Sequence, residues 1–157
     1  MKIAIYAQIY ENETLDYVVE LLDECKNVGA EVFIEAHFYT QLSASRQIAN
    51  YGTFDREVGL DRSFEMFVSF GGDGTILRAI TYIRDLGIPI VGVNTGTLGF
   101  LSTLKKEEVR RVVTEFVSGA YSLVERSLVE VIADFDIPEF RDMIYALNEV
   151  SVSRKDT

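Results

Sequence analysis

Asp73 stands among three glycines, Gly71-Gly72-Asp73-Gly74, with Thr75 directly after them. Glycines let a backbone turn sharply and approach a ligand with no Cβ in the way. Amides in such a turn also form an anion-binding concavity where a helix begins. Gly71, Gly72 and Gly74 therefore suit a loop laid against ribose or phosphate. A carboxylate does not face phosphate directly without a metal or a cation between them. It can accept a hydrogen bond from a hydroxyl and take its proton as that oxygen attacks phosphorus. The alternative is that Asp73 is a turn residue and the glycines serve geometry alone. A second glycine-rich stretch follows, Asn94-Thr95-Gly96-Thr97-Leu98-Gly99-Phe100-Leu101. Asn94 and Thr95 offer amide and hydroxyl partners, Gly96 and Gly99 offer close approach, and Phe100 and Leu101 read as core anchors. Asn148-Glu149 sets an amide and a carboxylate inside a late apolar run, where they are costly to bury without partners. Binding two ribose hydroxyls would account for that pair, and so would a solvated domain junction.

The elements that must position these groups alternate. Lys2 to Ala7 reads as a strand, and Leu15, Val18, Val19, Leu22 and Cys25 recur at helical spacing, with Thr14 as N-cap and Gly29 as stop. Val32 to Ile34 is a second strand. Residues 37 to 62 lack a clean period and read as a long loop with a short helix around Ser45 to Asn50. An apolar strand ends at Phe70, and a helix from about Thr75 to Leu86 follows, capped by Thr75 and ended by Gly87. Ile88 to Val93 is nearly all apolar, which suits the middle of a parallel sheet covered on both faces, with Pro89 at its start. A helix from about Lys106 to Val117 comes next. This alternation predicts an α/β fold, an open parallel sheet flanked by helices.

After residue 120 the pattern changes. Leu123, Leu128, Val129, Val131 and Ile132 form an extended run, Asp134 to Pro138 can turn the chain, and Met143 to Val152 is apolar with stretches of period two. These features predict a hairpin that starts an antiparallel β domain, and a hairpin needs a further layer to be stable. The expected division is an α/β nucleotide-binding domain over 1–120 and the first strands of an incomplete all-β domain over 121–157.

With 157 residues, 48% hydrophobic and 25% charged, the chain reads as globular. Its net charge of −10 argues against nucleic acid as a partner, since backbone phosphates need a concentrated basic face. Cys25 is the lone cysteine and is expected to be a buried thiol. His37 is expected to pack locally, and Asp134, Asp136 and Glu139 to form a solvated turn, so no metal site is expected. No signal-peptide layout or membrane-length apolar run is present, and the cytoplasm is the expected compartment, with no membrane partner. A Walker A lysine pattern and the GxGxxG dinucleotide fingerprint are both absent.

In their order and spacing, Gly71 to Thr75, Asn94 to Leu101 and Asn148-Glu149 resemble the ATP-NAD kinases. The first motif alone is shared with diacylglycerol and sphingosine kinases, and phosphofructokinases carry a relative of it. The second loop followed by the asparagine–glutamate pair is the more specific part. The resemblance covers essentially the whole chain and about the first half of a typical member. It implies phosphorylation of the 2′-hydroxyl of NAD's adenosine ribose, giving NADP, with ATP or in some members polyphosphate as donor. Asp73 then matches the family's proton acceptor, within a nucleotide loop of Gly72, Asp73, Gly74 and Thr75. Arg78 matches a position that can contact the dinucleotide, though it also reads as an exposed helix arginine. Asn148 and Glu149 match the pair at NAD's ribose, and Asn94 takes a supporting role. A divalent ion, usually magnesium, is implied with ATP. So are a second, all-β domain, a dinucleotide site between the domains, and a homodimer or homotetramer. Two other readings remain: a lipid kinase sharing the glycine–aspartate motif, and a dinucleotide-binding module without catalysis.

Overall fold

The computed structural model describes residues 1–8, 12–97, 99–132, 145–147, 149–151 and 153. Two compact units make up the chain, Met1–Ser122 and Leu123–Thr157.

The first unit is built on a six-stranded sheet in which every neighbouring pair is parallel. Its strands are β1 (Lys2–Ala7), β2 (Glu31–Glu35), β3 (Gly52–Phe54), β4 (Phe64–Phe70), β5 (Ile90–Asn94) and β6 (Leu104–Lys105), in the spatial order β3-β2-β1-β4-β5-β6. The helices are α1 (Asn12–Asn27), α2 (Ala36–Ser45), α3 (Asp73–Ile83) and α4 (Val109–Ser118), the last entered through a 3-10 turn at Lys106–Glu108.

Alternation along the strands decides which helix covers which face. Ile3, Ile5, Val32, Ile34, Met66, Val68, Phe70 and Val93 turn to one side. There they pack with Leu15, Val18, Leu21, Leu22 and Cys25 of α1, Phe38 and Leu42 of α2, and Val109, Val112 and Val113 of α4. Ala4, Tyr6 and Phe67 turn to the other side, against Ala79 and Ile83 of α3 and the rings of Phe54 and Phe64. Apolar residues on both faces of β1 and β4 are what a parallel strand between two helical layers requires.

The structure departs from the sequence reading at several helix boundaries. Residues 37 to 62 are not one loop: α2 starts directly after β2, and β3 pairs with β2 through Phe33↔Gly52 to Glu35↔Phe54. No short helix forms around Ser45 to Asn50, because α2 has already ended there. The N-cap of α2 is Glu35, whose Oε2 accepts the Phe38 N–H at 2.9 Å. Thr14 and Thr75 are not caps, since α1 starts at Asn12 and α3 at Asp73, so both threonines lie inside their helices. Arg84 rather than Gly87 terminates α3. Pro89 directly precedes β5. His37 is exposed on α2 rather than packed, and Cys25 is buried.

In the second unit, β7 (Leu128–Glu130) and β8 (Tyr145–Leu147) form an antiparallel pair, with Leu128 opposite Leu147 and Glu130 opposite Tyr145. The fold is therefore an α/β parallel sheet flanked by helices, with a small antiparallel sheet after it. The turn carrying Asp134, Asp136 and Glu139 lies outside the described residues, as do Leu98 and Asn148. Among the described residues no helix is long and apolar enough to cross a membrane.

Candidate active site

From β1 the chain builds outward one way through β2 and β3, and from β4 the other way through β5 and β6. The strand order therefore reverses between β1 and β4. In open parallel sheets the ligand crevice lies outside the carboxyl ends of the strands at such a reversal. Tyr6-Ala7 ends β1 there, and β4 ends in Phe70 and runs into Gly71-Gly72. The glycine–aspartate turn thus stands at the sheet end where such a crevice is expected.

Asp73 is the first residue of α3, with Gly72 as N-cap in extended conformation and no side-chain cap on this helix end. A negative side chain in the first turn is favoured by the helix dipole, and an uncapped N-terminus leaves amides for an anion. Thr75 is buried, Gly74 and Arg78 are exposed, and all three lie on α3. Arg78 also bears on Tyr6: its charge draws the Tyr6 hydroxyl's pKa down, against burial first and Tyr82 second, which together push it up to about 12.

The carboxylate of Asp73 reaches across to the loop after β5. Its Oδ2 accepts the N–H of Phe100, and its Oδ1 accepts those of Leu101 and Ser102, each at 2.9 Å. The Ser102 amide is the strongest of several influences that hold this carboxyl below the usual carboxylate range, followed by Phe100. Burial opposes them, and Leu101 adds to them. Amides favour the charged form, so Asp73 is ionised well below neutral pH. Contact is close enough that a Cβ on Gly99 would overlap the Asp73 carboxylate. That position is glycine because the loop backbone passes directly over the acid.

Asn94 is buried at the end of β5 and turned to its own loop. Its Nδ2 donates to the carbonyls of Thr97 (2.9 Å) and Ser102 (3.2 Å), and its Oδ1 accepts the Gly96 N–H (2.9 Å). Its amide shapes the loop. Phe100 corrects the sequence reading: it is 92% exposed and anchors no core, because its N–H is turned in to Asp73 while its ring points out. Ser102 was missed altogether. It is fully buried, and its Oγ donates to the Gly71 carbonyl at 3.0 Å. The signal available was a serine just after Gly99-Phe100-Leu101, in a stretch where a core residue would be apolar.

Gly71 to Thr75, Arg78, Asn94 and the Phe100–Ser102 backbone are thus brought to one end of one sheet. Glu149 is exposed and belongs to the second unit.

Residues 3–121 match the family model for the ATP-NAD kinase N-terminal domain. The chain belongs to the ATP-NAD kinase family. Proteins called NAD kinase from Flavobacterium psychrophilum and Christiangramia forsetii are 40% and 41% identical to it over 100% of its length. The chain spans 54% of each of those relatives. A crystal structure of yeast NADH kinase complexed with NADH superimposes with a TM-score of 0.68 at 20% identity, covering 83% of this chain and 41% of that one. At that identity the likeness shows the fold. The ATP-NAD kinase model covers both glycine-rich loops, the first with its acid Asp73.

Proposed function

We propose that the protein is an NAD kinase, transferring the terminal phosphoryl group of ATP, or of polyphosphate, to the 2′-hydroxyl of the adenosine ribose of NAD. The observation that carries this is the cradled Asp73. A carboxylate has about four lone-pair sites, and the three amides of Phe100, Leu101 and Ser102 fill three of them. Among the described residues one site on Oδ2 is left, beside a helix N-terminus with no side-chain cap. A hydroxyl bonded to that site can pass its proton to Oδ2 as its oxygen forms the bond to phosphorus. The bond from phosphorus to the bridging oxygen breaks, and ADP leaves with that electron pair.

Asp73 is ionised and thus ready to accept, though its lowered pKa makes it a modest base. Its larger part is to hold the hydroxyl in line, with the proton moving late as the new bond forms. The amides at the start of α3 and the Arg78 guanidinium meet the phosphate charge. Gly72, Gly74 and Thr75 bring the backbone to the nucleotide, while Asn94 keeps the second loop in shape. Asn148 and Glu149 are assigned to the ribose of NAD by the resemblance.

A divalent ion, magnesium in the first instance, fits this chain as an ion carried by the donor's phosphates. Among the described residues no three His, Cys, Asp or Glu side chains gather to hold a metal. Phosphate-bound magnesium needs few protein ligands, and when bound it neutralises charge on the phosphates. The lipid-kinase alternative rests on Gly71 to Thr75 alone. The division into an α/β domain over 1–120 and a β domain from 121, the homo-oligomer and the cytoplasmic compartment are proposed with the same reading.

The test is NADP formation by mass spectrometry from NAD, ATP and magnesium, using the complete gene product and the 157-residue chain in parallel. NADP from the complete product establishes the reading, and NADP from the chain alone would place every necessary group within it. Folded protein that binds NAD and makes no NADP in either form overturns the reading in favour of a binding module.

A further inference from the structure

Ser102 is polar, has no exposed surface, and is bonded in three directions. Its N–H donates to Asp73 Oδ1 at 2.9 Å, its Oγ donates to the Gly71 carbonyl at 3.0 Å, and its carbonyl accepts Asn94 Nδ2 at 3.2 Å. It also lies against the sheet at the middle of β5. A Cβ built on Gly92 would overlap Ile76 and come within 2.8 Å of the Ser102 Cα. A hydroxyl in such a place is costly unless it is bonded, and a small apolar residue would pack there without that requirement. The hydroxyl's bond joins the second loop to the turn that carries Asp73. Without it, the segment that supplies the three amides keeps its bonds to the carboxylate and an indirect tie through Asn94 and the Gly71 N–H on Val93, and loses its direct bond to the Gly71 backbone.

We propose that Ser102 is a positioning residue of this site. By anchoring the second loop to the Gly71 carbonyl, it fixes the amide cradle and so decides which oxygen of Asp73, and which lone pair, meets the attacking hydroxyl. This rests on the kinase reading above, so the test carries one readout that needs catalysis and one that does not.

In the complete gene product, Ser102→Ala should lower kcat about tenfold or more at saturating NAD while KM for NAD changes less than about threefold, the pattern of a misplaced catalytic group. With the cradle loosened, the Asp73 carboxyl moves back toward ordinary values, so the acid limb of the kcat–pH profile shifts to higher pH. Ser102→Thr, which keeps the hydroxyl, should restore both. The second readout is the Asp73 carboxyl titration followed by carbon-13 NMR and assigned with Asp73→Asn, where Ser102→Ala should raise the midpoint. If the alanine variant does not fold, Ser102→Cys, of similar volume and a weaker donor, gives the same two readouts. A folded variant with unchanged kcat and an unmoved Asp73 titration overturns the proposal. A shifted titration in a protein that never makes NADP upholds the positioning role and removes the kinase reading instead.

Discussion

At the scale of single residues, Asp73 does two things that are separable by substitution. In the proposed reaction it takes the proton of the attacking hydroxyl, and in the structure it holds the second loop by three amides. Asp73→Asn should retain NAD binding, measured by calorimetry, and lose turnover by about 100-fold or more, the scale of a lost general base. Gly99→Ala keeps the acid in the sequence but its Cβ would overlap the carboxylate, so the acid or the loop must shift. Its kcat should fall while the fold, read by circular dichroism, persists. The acid also gives stability a defined pH dependence. Its folded-state pKa lies below the unfolded value, so the stabilisation is complete above the unfolded value and is lost as pH falls through the folded one. The Tm difference between wild type and Asp73→Asn should therefore narrow as pH falls below about 4. The acid's place was legible in the sequence, as a carboxylate among glycines between an apolar strand and a helix, a setting that a plain turn residue also fits. Its partners were not, since backbone N–H groups leave no mark on residue identity. Phe100 was misread for the same reason: apolar character does not reveal that a neighbouring amide bond has turned the ring outward.

At the scale of elements, β1, β2, β4, β5 and the amphipathic helices α1, α3 and α4 were legible in the sequence, and α2 and β3 were not. That helix buries Phe38 and Leu42 among its residues, too narrow a stripe to register as a period over so short a length. It also starts on a glutamate cap, a residue outside the usual cap set. Glu35 is nearly buried, and Tyr82 Oη donates to its Oε1 at 3.5 Å while Phe38 N–H donates to its Oε2. Glu35→Ala should destabilise the protein by about 1 kcal/mol, as other lost caps do, in a urea titration. An unchanged midpoint would show that the cap contributes nothing. β6 was missed because two residues, Leu104 and Lys105, carry no pattern. Pairing with β5 at Val93↔Leu104 makes them a strand.

At the scale of the whole molecule, the first unit depends on a sheet packed on both faces. Phe67 of β4 is fully buried on the α3 side, with Phe54 and Tyr6 rings around it. Phe67→Ala should cost about 3–5 kcal/mol, the range for an aromatic lost from a core, measured by chemical denaturation. Its effect should fall on the α3 side, where the candidate acid begins the helix. The alternation of elements was enough to foresee this layering, because each strand needs helices on both sides to bury its two apolar faces. The late strands were foreseen as antiparallel, and Leu128 facing Leu147 belongs to such a pair, while the chain that joins the two strands lies outside the described residues.

The bonds from Asp73 to Phe100, Leu101 and Ser102, with the Ser102 hydroxyl on Gly71, also make the two loops thermodynamically one body. A ligand that tightens the Gly71–Gly74 turn restricts the loop after β5 through the same carboxylate, and linkage requires the effect to run equally in reverse. Phosphoryl donor and acceptor, if each holds a different loop, would then bind with a shared free energy. Each would then change the other's affinity by the same factor, through one side chain.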